Sequence, residues 1–357
     1  MSLTYDAIVI GGGVIGCSIA YQLSKKQKKV LLLEKGKVGE RASSAAAGML
    51  GAQMEFNVDD PFYPLAKMSR QMFRDLSREL YEISGIDIEL MENGIYELAF
   101  KEDECDRHQQ RAERDTLQGE TVSWLSSSQL QEREPAISNR ALGALYFPND
   151  GQVSPVQLTK AYLEGATFYG TEVKEQTEAV QLIQSGNKVK GVETDSKTIF
   201  ADHVILAGGV WSSNLLPELQ MVPVKGECIS FMTSDPLLHG TVKYNGCYLV
   251  PKRNNRIFVG ATSVPHTFDE KITFAGIFEL MERAKQMVPD LNKAAFEKAW
   301  TGIRPQTKDG KPYIGHHPQH EGLHVAAGHY RNGILLSPVT GKIIADQIES
   351  EVRLYET

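Results

Sequence analysis

Three glycines near the start of the chain have the spacing of a phosphate-binding turn. Gly11, Gly13 and Gly16 follow the apolar run YDAIVI, and apolar residues then recur at helical spacing. In such a turn the first glycine permits the sharp bend, the second lets the backbone approach a pyrophosphate, and the third lets helix and strand pack closely. The helix then offers free N–H groups and the positive end of its dipole to the phosphates. Because a lone GxGxxG also marks ordinary βα turns, its context decides.

An acidic residue completes this context. Glu34 ends the next buried run, KVLLLE, so the first 34 residues predict a βαβ unit with parallel strands. Its carboxylate is suited to accept hydrogen bonds from a ribose diol, which favours an unphosphorylated adenosine ribose over NADP. These residues predict a dinucleotide site, but they do not separate FAD from NAD.

A run of small residues favours a flavin over a nicotinamide. The segment 41–49 reads RASSAAAGM, which leaves room for a bulky ring system and supplies close backbone N–H groups and hydroxyls. The alternative is the start of an alanine-rich helix capped by Ser43 or Ser44. A later run, VILAGGVWS at 204–212, predicts a buried strand whose small last residues pass near the dinucleotide, although a plain core strand has the same pattern.

Two segments nearer the C-terminus carry candidate charge-binding groups. Arg304 stands beside a proline in GIRPQTKDGKPYIG, and a planar guanidinium matches a carboxylate through two parallel hydrogen bonds. A surface ion pair is the more common role of an arginine. In GHYRNGILLSP, glycines precede a helix predicted to run from about Pro338 to Ile348. We expect the N-terminus of that helix to stabilise negative charge on a reduced flavin.

Composition excludes several classes of function. The chain has 357 residues, 41% of them hydrophobic, and a formal net charge of −7, so we expect a globular protein that binds neither nucleic acid nor a membrane. The four cysteines lack the spacing of metal ligands, and the histidines lack HxxxH spacing beside an acid. We therefore predict reduced thiols, no metal site and a cytoplasmic protein.

The elements around these motifs predict an α/β (α+β) fold. We expect a Rossmann-like FAD-binding domain with a parallel sheet, interrupted by a second domain with a mainly antiparallel sheet and helices. The FAD-binding domain is assigned to 1–85, 141–220 and 305–357, and the substrate-binding domain to 86–140 and 221–304. Helices are predicted over 61–85, 101–119, 155–170 and 272–287. A hairpin is predicted around Gly94, between residues 86 and 100.

The motifs together resemble the D-amino-acid oxidase family of flavoproteins, in particular the branch whose bacterial members oxidise glycine and serve thiamine biosynthesis. The likeness runs through essentially the whole chain, in IVIGGGVIG, SSAAAGMLGA, PVKGE, CYLVP, GIRPQTKDGKPYIG and AAGHYRNGILLSPVTG. It implies non-covalent FAD and oxidation of glycine, sarcosine and small D-amino acids by oxygen. From glycine the products are glyoxylate, ammonia and hydrogen peroxide, unless a thiazole-forming enzyme captures the imine first. The resemblance also implies a homotetramer.

The resemblance assigns roles to individual residues. The FAD-binding set is Gly11, Gly13, Val14, Ile15, Gly16, Glu34, Lys35, Ala42, Ser43, Ala47, Gly48, Met49, Ala179, His329, Tyr330, Arg331, Asn332, Gly333, Ile334 and Leu335. Arg304 is expected to hold the substrate carboxylate, with Tyr248 beside it and Arg331 in the same pocket. Gly246 and Ser263 stand where a histidine and a methionine can occur in the family. The residues after Met49, up to Asp60, are expected to form a lid.

Hydride transfer to a flavin needs positioning more than a side-chain base, so we expect Arg304 and Tyr248 to orient the amine. Two alternatives stay open. One is an FAD dehydrogenase that acts on D-amino acids or sarcosine and passes electrons to a quinone, and the other is a flavin-bound assembly or sensing protein without turnover. Sarcosine oxidases of the broader family attach FAD through a cysteine near the C-terminal substrate motif. Because no cysteine follows Cys247, covalent attachment is not expected.

Overall fold

The protein is described here by a computed structural model that covers residues 4–355, with the side chains of 351–355 left aside. The predicted βαβ unit forms the centre of the first sheet. Thr4–Ile10 pairs in parallel with Val30–Leu33 on one side and with Thr198–Leu206 on the other. The buried strand predicted at the start of VILAGGVWS is therefore confirmed, as the end of Thr198–Leu206.

The first sheet is parallel at its centre and antiparallel at one end and along one branch. Its strands in spatial order are Tyr313–His316, Leu323–Ala327, Thr198–Leu206, Thr4–Ile10, Val30–Leu33 and Glu172–Lys174. Lys188–Thr194 and Ala179–Ser185 add an antiparallel branch to Thr198–Leu206. One face is covered by the helices Val14–Lys25, Tyr63–Ser84, Pro155–Phe168 and Gly333–Tyr355, whose buried apolar residues form one cluster with the strands.

The second sheet is mainly antiparallel. Its strands in spatial order are Val264–Pro265, Val222–Met232, Arg256–Gly260, Cys247–Lys252, Thr241–Tyr244, Ile95–Ala99, Gly143–Phe147 and Ser123–Ser126, and Ala295–Gln306 pairs with Val222–Met232. The helix Phe274–Met287 packs Leu280, Ala284 and Met287 into the apolar cluster of this sheet. The α/β fold with one largely parallel and one mainly antiparallel sheet is confirmed.

Shorter elements complete the chain. Met49–Leu50 pairs with Gly151–Gln152 as a separate two-stranded sheet. The remaining α-helices are Ala42–Ala45, Ala52–Glu55, Glu102–Leu117, Ser127–Arg133 and Ser212–Leu215. The 3₁₀ turns are Gly209–Trp211, Pro217–Leu219, Pro289–Lys293 and Tyr330–Asn332. Among the helices of the described residues, none is long and apolar enough to cross a membrane.

The hairpin predicted around Gly94 is wrong. Only Ile95–Ala99 forms a strand there, and its partners are Gly143–Phe147 and Thr241–Tyr244. Gly94 has φ +76°, a turn conformation that leads into the strand, and Tyr146 from the partner strand occupies the space where a side chain of residue 94 would lie. The alternating pattern therefore reports a strand with distant partners rather than a local turn.

The start predicted for the last helix is also wrong. The helix begins at Gly333 and contains Pro338, which has no N–H to donate to the carbonyl of Ile334. The hydroxyl of Ser337 donates to that carbonyl at 2.9 Å and satisfies it. The proline is therefore tolerated inside the helix, and the N-terminus of the helix lies five residues earlier than expected.

The division of the chain into two domains stays a prediction. The strand Gly143–Phe147, which the sequence-based boundaries placed with the FAD-binding segments, pairs within the second sheet. The strand Ala295–Gln306 belongs to the second sheet over its whole length, so that sheet extends two residues past the predicted boundary at 304.

Candidate functional site

The glycine-rich turn is shaped by close backbone contacts. Gly11 has φ +109°, and a Cβ there would lie 2.5 Å from the carbonyl oxygen of Ala207. A Cβ on Gly16 would lie 1.9 Å from the carbonyl oxygen of Gly11. Both positions therefore require glycine. Gly13 stands at the N-cap of Val14–Lys25, where it has no side chain to cover the helix terminus.

Glu34 is held at the edge of this turn. Its Oε2 accepts the N–H of Gly12 at 2.7 Å, and its Oε1 accepts the N–H of Gly36 at 2.8 Å. Each carboxylate oxygen can accept a further bond, so the fixed carboxylate can still bind a ribose diol. Ser43 approaches from the small-residue run, where its Oγ accepts the N–H of Val14 at 2.9 Å.

These groups line a pocket, called the first pocket, that runs across the carboxyl ends of the parallel strands. Most of the residues that line it lie in the segments 10–15, 33–35, 41–46, 177–179, 206–211 and 328–334. Among the residues predicted to bind FAD, it includes Gly11, Gly13, Val14, Ile15, Glu34, Lys35, Ala42, Ser43, Ala179, His329, Tyr330, Arg331, Gly333 and Ile334. A crevice at this end of a parallel sheet is the usual place for a dinucleotide.

Trp211 is a wall of the first pocket to which the sequence assigned no role. Lys35 Nζ lies 4.4 Å from the centre of its ring, and the guanidinium of Arg41 lies 5.5 Å from it. All three residues line the pocket. Both cations are therefore held on an aromatic face in the wall of the first pocket.

The segment after the buried strand Leu323–Ala327 closes the inner end of the first pocket. Tyr330 adopts φ +50°, and the helix that starts at Gly333 points its N-terminus at the pocket wall. His329 is buried, its Nε2 lies 3.1 Å from Thr340 Oγ1, and burial lowers its pKa to about 3. His329 is therefore a neutral, hydrogen-bonded group rather than an acid or base.

A second pocket, of about 560 Å³, continues from the first. It shares Ala42, Ala46, Tyr330, Arg331 and Ile334 with the first pocket, so the two spaces meet at these residues. Its other walls come from the small-residue run, including Ala47, Gly48 and Met49, and from the second sheet. Arg304, Tyr248 and Arg331, the three residues predicted to contact substrate, all line it.

Arg304 lies on the pocket face of the second sheet, near the end of Ala295–Gln306. Its Nη1 donates to the carbonyl oxygen of Thr262 at 3.1 Å. A guanidinium has five N–H donors, so this bond leaves enough of them for a two-point contact with a carboxylate.

Tyr248 and Cys228 form the neighbouring part of this wall. The hydroxyl of Tyr248 lies 3.8 Å from the Sγ of Cys228. Burial raises the pKa of Tyr248 well above its usual range and also raises the pKa of the Cys228 thiol. The phenol therefore stays protonated and can donate a hydrogen bond into the pocket.

Arg331 reaches the opposite wall, where it forms an ion pair with Glu55. Glu55 is the last residue of the helix Ala52–Glu55, inside the segment predicted to be a lid. Residues 52–54 of that segment are buried, and the backbone N–H groups of Gln53 and Met54 donate to Asp150 at 3.3 and 2.9 Å. The first part of the expected lid is therefore packed interior, and Glu55 brings it to the pocket.

Some predicted residues lie elsewhere. Among the described residues predicted to bind FAD, Gly16, Asn332 and Leu335 lie outside both linings. Gly16 lets the helix Val14–Lys25 pack closely against the backbone of Gly11, and Leu335 is buried in the core. Gly246 and Ser263 both line the second pocket, so their small size enlarges it.

A buried ion pair beside the second pocket went unrecognised in the sequence. Lys225 Nζ lies 3.3 Å from Glu227 Oε1, and both side chains are almost fully buried. The signal was present in VPVKGECISFM, where two opposite charges two residues apart point to one face of an otherwise apolar strand.

The first pocket fits FAD. The turn at Gly11–Gly16 leaves space for a pyrophosphate, Glu34 can bind ribose, and the small-residue run leads from the first pocket into the second, which Arg304 and Tyr248 line. Among the side chains that the structure describes, from residue 4 to residue 350, no group of three or more His, Cys, Asp or Glu is placed to hold a metal ion.

Known proteins resemble the chain over nearly its full length. A family model described as FAD dependent oxidoreductase matches residues 6–347. Glycine oxidase from Geobacillus kaustophilus (strain HTA426) is 44% identical over 362 residues, covering 100% of this chain and 96% of that protein. The crystal structure of glycine oxidase from Geobacillus kaustophilus superposes with a TM-score of 0.94 at 45% identity, covering 97% of this chain and 95% of that one. The "Bifunctional protein ThiO/ThiG" of Synechocystis sp. is 33% identical over 98% of this chain and 52% of its own length. The chain therefore belongs to the FAD dependent oxidoreductase family, with FAD as its cofactor.

Proposed function

We propose that the protein oxidises glycine with oxygen and water to glyoxylate, ammonia and hydrogen peroxide. The observation that carries this proposal is the position of Arg304. Its guanidinium lines the second pocket, which joins the FAD pocket through Ala42, Ala46 and Ile334. We propose that a carboxylate bound there directs the adjacent Cα–N bond toward the junction of the two pockets. The names of the relatives at 44% and 45% identity support the same substrate.

When bound, FAD supplies the acceptor that takes a hydride from the amine and delivers two electrons to oxygen. The chain supplies binding and orientation. Arg304 binds the carboxylate, and the protonated phenol of Tyr248 donates a second hydrogen bond to it. Cys228 and the alanines of 45–47 contribute the apolar part of the lining. Arg331, paired with Glu55, closes the opposite side.

The shape of the second pocket supports a range of small amines. Gly246 and Ser263 leave space where larger side chains would narrow it. Sarcosine and small D-amino acids are therefore proposed as further substrates, since each adds one small group to glycine. Substrates with large side chains are expected to react more slowly because they meet Tyr248 and Arg331.

The cellular setting belongs to the same proposal. The relative named "Bifunctional protein ThiO/ThiG" is about twice as long as the part that this chain matches. We propose that the imine formed from glycine passes to a thiazole-forming enzyme before water converts it to glyoxylate. The four cysteines of the chain are free and buried, which supports the reducing cytoplasm as its compartment. A homotetramer is the proposed assembly.

The proposal is tested with the visible spectrum of the purified holoprotein without oxygen. Glycine is expected to bleach the flavin band, and air is expected to restore it with formation of hydrogen peroxide. Methylamine, which has the amine but no carboxylate, is the control and should leave the band unchanged. Acid precipitation should release the flavin into solution if it is bound non-covalently.

Two outcomes contradict the proposal in different ways. A band that glycine bleaches and air does not restore indicates a dehydrogenase with another electron acceptor. A flavin that neither glycine, sarcosine nor D-alanine bleaches indicates a protein that binds FAD without amine turnover.

A further inference from the structure

The pocket face of the second sheet carries glycines under its functional side chains. Gly226 and Gly302 are directly paired between the strands Val222–Met232 and Ala295–Gln306. Gly260 pairs with Cys228 on one side and with Tyr248 on the other. In a strand, residues two apart share a face, so Gly226 and Cys228 present the same side of the sheet to the pocket.

Each of these glycines lies beneath a group that a side chain would displace. A Cβ on Gly260 would lie 2.5, 2.7 and 2.8 Å from the Oη, Cζ and Cε2 atoms of Tyr248. A Cβ on Gly302 would lie 2.5 Å from the Cβ of Ala45, in the small-residue run. The sheet therefore contacts the ring of Tyr248 and the small-residue run through glycine backbone atoms.

The closest of these contacts is between Gly226 and Arg304. A Cβ on Gly226 would lie 2.3, 2.5 and 2.6 Å from the Nη2, Cζ and Nη1 atoms of the guanidinium. Because the three distances are nearly equal, the plane of the guanidinium lies flat over the residue. Real Cβ atoms do not approach other heavy atoms this closely, so any side chain at 226 must move Arg304.

The edge of the guanidinium is held by a second contact. Arg304 Nη1 donates to the carbonyl oxygen of Thr262, and Thr262 is tied to Glu227 by three bonds. The N–H of Glu227 donates to Thr262 Oγ1 at 2.9 Å, the N–H of Thr262 donates to the carbonyl of Glu227 at 3.2 Å, and Thr262 Oγ1 lies 3.5 Å from Glu227 Oε2. Glu227 is itself fixed by Lys225 and by the N–H of Thr273, at 3.3 and 2.7 Å.

We propose that Gly226 is a positioning residue for recognition of the substrate carboxylate. It provides the flat surface that sets the height of the Arg304 guanidinium above the sheet, while Thr262, anchored by Glu227, sets its rotation. The segment PVKGE thereby holds the arginine from two directions. This inference rests on the proposed function, in which Arg304 binds the carboxylate.

Such a device matters because a two-point contact depends on angle as well as distance. A guanidinium displaced by about 1 Å no longer aligns two parallel N–H groups with a carboxylate, and displacements of this size cost about 100-fold in well-positioned reactions. The positioning role therefore predicts a large effect on carboxylate binding from a single methyl group placed beneath the guanidinium.

The test replaces Gly226 with alanine in the holoenzyme. Acetate is the probe, because it has the carboxylate but no amine and therefore binds without reacting. Its dissociation constant is measured from the change it causes in the visible spectrum of the flavin, beside KM and kcat for glycine. We expect Gly226→Ala to weaken acetate binding and to raise KM at least tenfold, with FAD content unchanged.

Gly240→Ala is the matched control for steric strain. A Cβ on Gly240 would lie 2.5 Å from Tyr96 Cε2, a clash comparable to that at Gly226, but in the core and outside both pockets. It is expected to lower the melting temperature and to leave acetate binding within twofold of the wild type. An equal loss of acetate binding in both variants would show a general effect of strain and would overturn the inference.

A double-mutant comparison separates positioning from other effects of the methyl group. In an Arg304→Ala background, Gly226→Ala is expected to change KM for glycine less than twofold, because the side chain that it displaces is gone. If Gly226→Ala raised KM by the same factor with and without Arg304, the proposal would be overturned.

If Gly226→Ala does not fold, Thr262→Val tests the positioning of Arg304 instead. It keeps the shape of the side chain but removes the hydroxyl that binds Glu227, and it should weaken acetate binding about threefold or more. Ser230→Ala, which removes a buried hydroxyl from the same strand as Glu227 at a site away from the pockets, should change it less than 1.5-fold. Equal acetate binding in Thr262→Val and wild type would contradict the inference.

Failure of the inference and failure of the proposed function give different results. If wild-type flavin responds to glycine and acetate and Gly226→Ala responds equally, only the positioning role is wrong. If wild-type flavin responds to neither ligand, the proposed function is wrong and the inference fails with it.

Discussion

The two pockets are built in different ways from the same chain. The first pocket is largely backbone: glycines at 11 and 16 bring helix and strand together, and the carboxylate of Glu34 is fixed by two backbone N–H groups. The second pocket depends on side chains, with Arg304 held over Gly226 of a strand distant in sequence and Tyr248 held over Gly260 of the neighbouring strand. Cofactor binding should therefore be sensitive to added atoms in the backbone turn, and substrate binding to changes that remove or displace single side chains.

The largest expected change in structure is in the first pocket. Gly16→Ala would place a methyl group 1.9 Å from the carbonyl oxygen of Gly11, so the helix must move away from the strand and the pyrophosphate turn must open. Overpacking of this kind costs about 1–3 kcal/mol or more. We expect the purified variant to contain less than about a tenth of the normal FAD, measured by the ratio of flavin to protein absorbance.

The control for this change is Gly36→Ala, where the added Cβ would lie 3.5 Å from Glu34 Oε1, an ordinary contact. That variant should keep its FAD. Full occupancy of FAD in Gly16→Ala would show that close packing of helix against strand is dispensable, and the contrast between the two pockets would lose its basis.

Arg304→Ala should do the opposite, leaving FAD in place while removing substrate binding. A guanidinium that binds a carboxylate in a partly desolvated pocket contributes about 3–5 kcal/mol, so kcat/KM for glycine should fall about 100-fold or more. Arg304→Lys keeps the charge but loses the planar two-point geometry. Its kcat/KM should lie between those of the wild type and Arg304→Ala. Steady-state kinetics with the FAD content of each variant provides the measurement. Normal kinetics in Arg304→Ala would remove this residue from the site.

The same contrast explains what could be predicted from the sequence. The turn at Gly11–Gly16 and the acid at Glu34 lie within one βαβ unit, so spacing alone locates them. The family resemblance located Arg304 and Tyr248, but not what holds them. The contact of Arg304 with Gly226 depends on the register between Val222–Met232 and Ala295–Gln306, whose paired residues are 63 to 84 positions apart in sequence.

The errors in the predicted fold have the same physical origin. The strand Ile95–Ala99 was recognised, but its partner Gly143–Phe147 was not, because a long helix and a further strand intervene. The helix beginning at Gly333 was placed too late because proline usually marks a first turn, and nothing in the sequence shows that Ser337 satisfies the carbonyl of Ile334. Local rules fail where a distant strand or a single side-chain bond decides.

Tyr248→Phe probes the side-chain pocket with a smaller change. The ring stays over Gly260, and only the hydroxyl that is proposed to reach the carboxylate is removed. A hydrogen bond of this kind is worth about 1–1.5 kcal/mol, so kcat/KM should fall roughly tenfold while FAD content is unchanged. Tyr244→Phe is the control, since its hydroxyl lies 3.3 Å from Glu104 and outside both pockets. Equal kinetics in the two variants would assign Tyr248 a packing role.

Lys252 lies where the second sheet contacts Val153, a residue outside that sheet. The pH dependence of the protein's stability tests this contact. Lys252 belongs to the second sheet, and its Nζ donates to the carbonyl of Val153 at 2.9 Å. The N–H of Val153 in turn donates to the carbonyl of Gly48, in the small-residue run. Burial lowers the pKa of Lys252 from 10.5 to about 7. Between pH 7 and 10.5 the unfolded chain therefore binds a proton that the folded protein lacks, so this lysine makes stability rise with pH in that window.

Lys252→Met has a similar volume and carries no charge, so it removes this dependence. Below pH 7 the folded wild type must bury the ammonium, and the variant should be the more stable protein, by about 1–2 kcal/mol after allowance for partial solvation. The difference should shrink steadily as the pH rises to 9, because the folded lysine is then neutral. Thermal midpoints of both holoproteins at pH 6, 7.5 and 9 measure it. A wild type that is more stable than the variant at pH 6 would mean that the bond to Val153 outweighs the cost of the buried charge, and that the contact between the second sheet and Val153 depends on this cation.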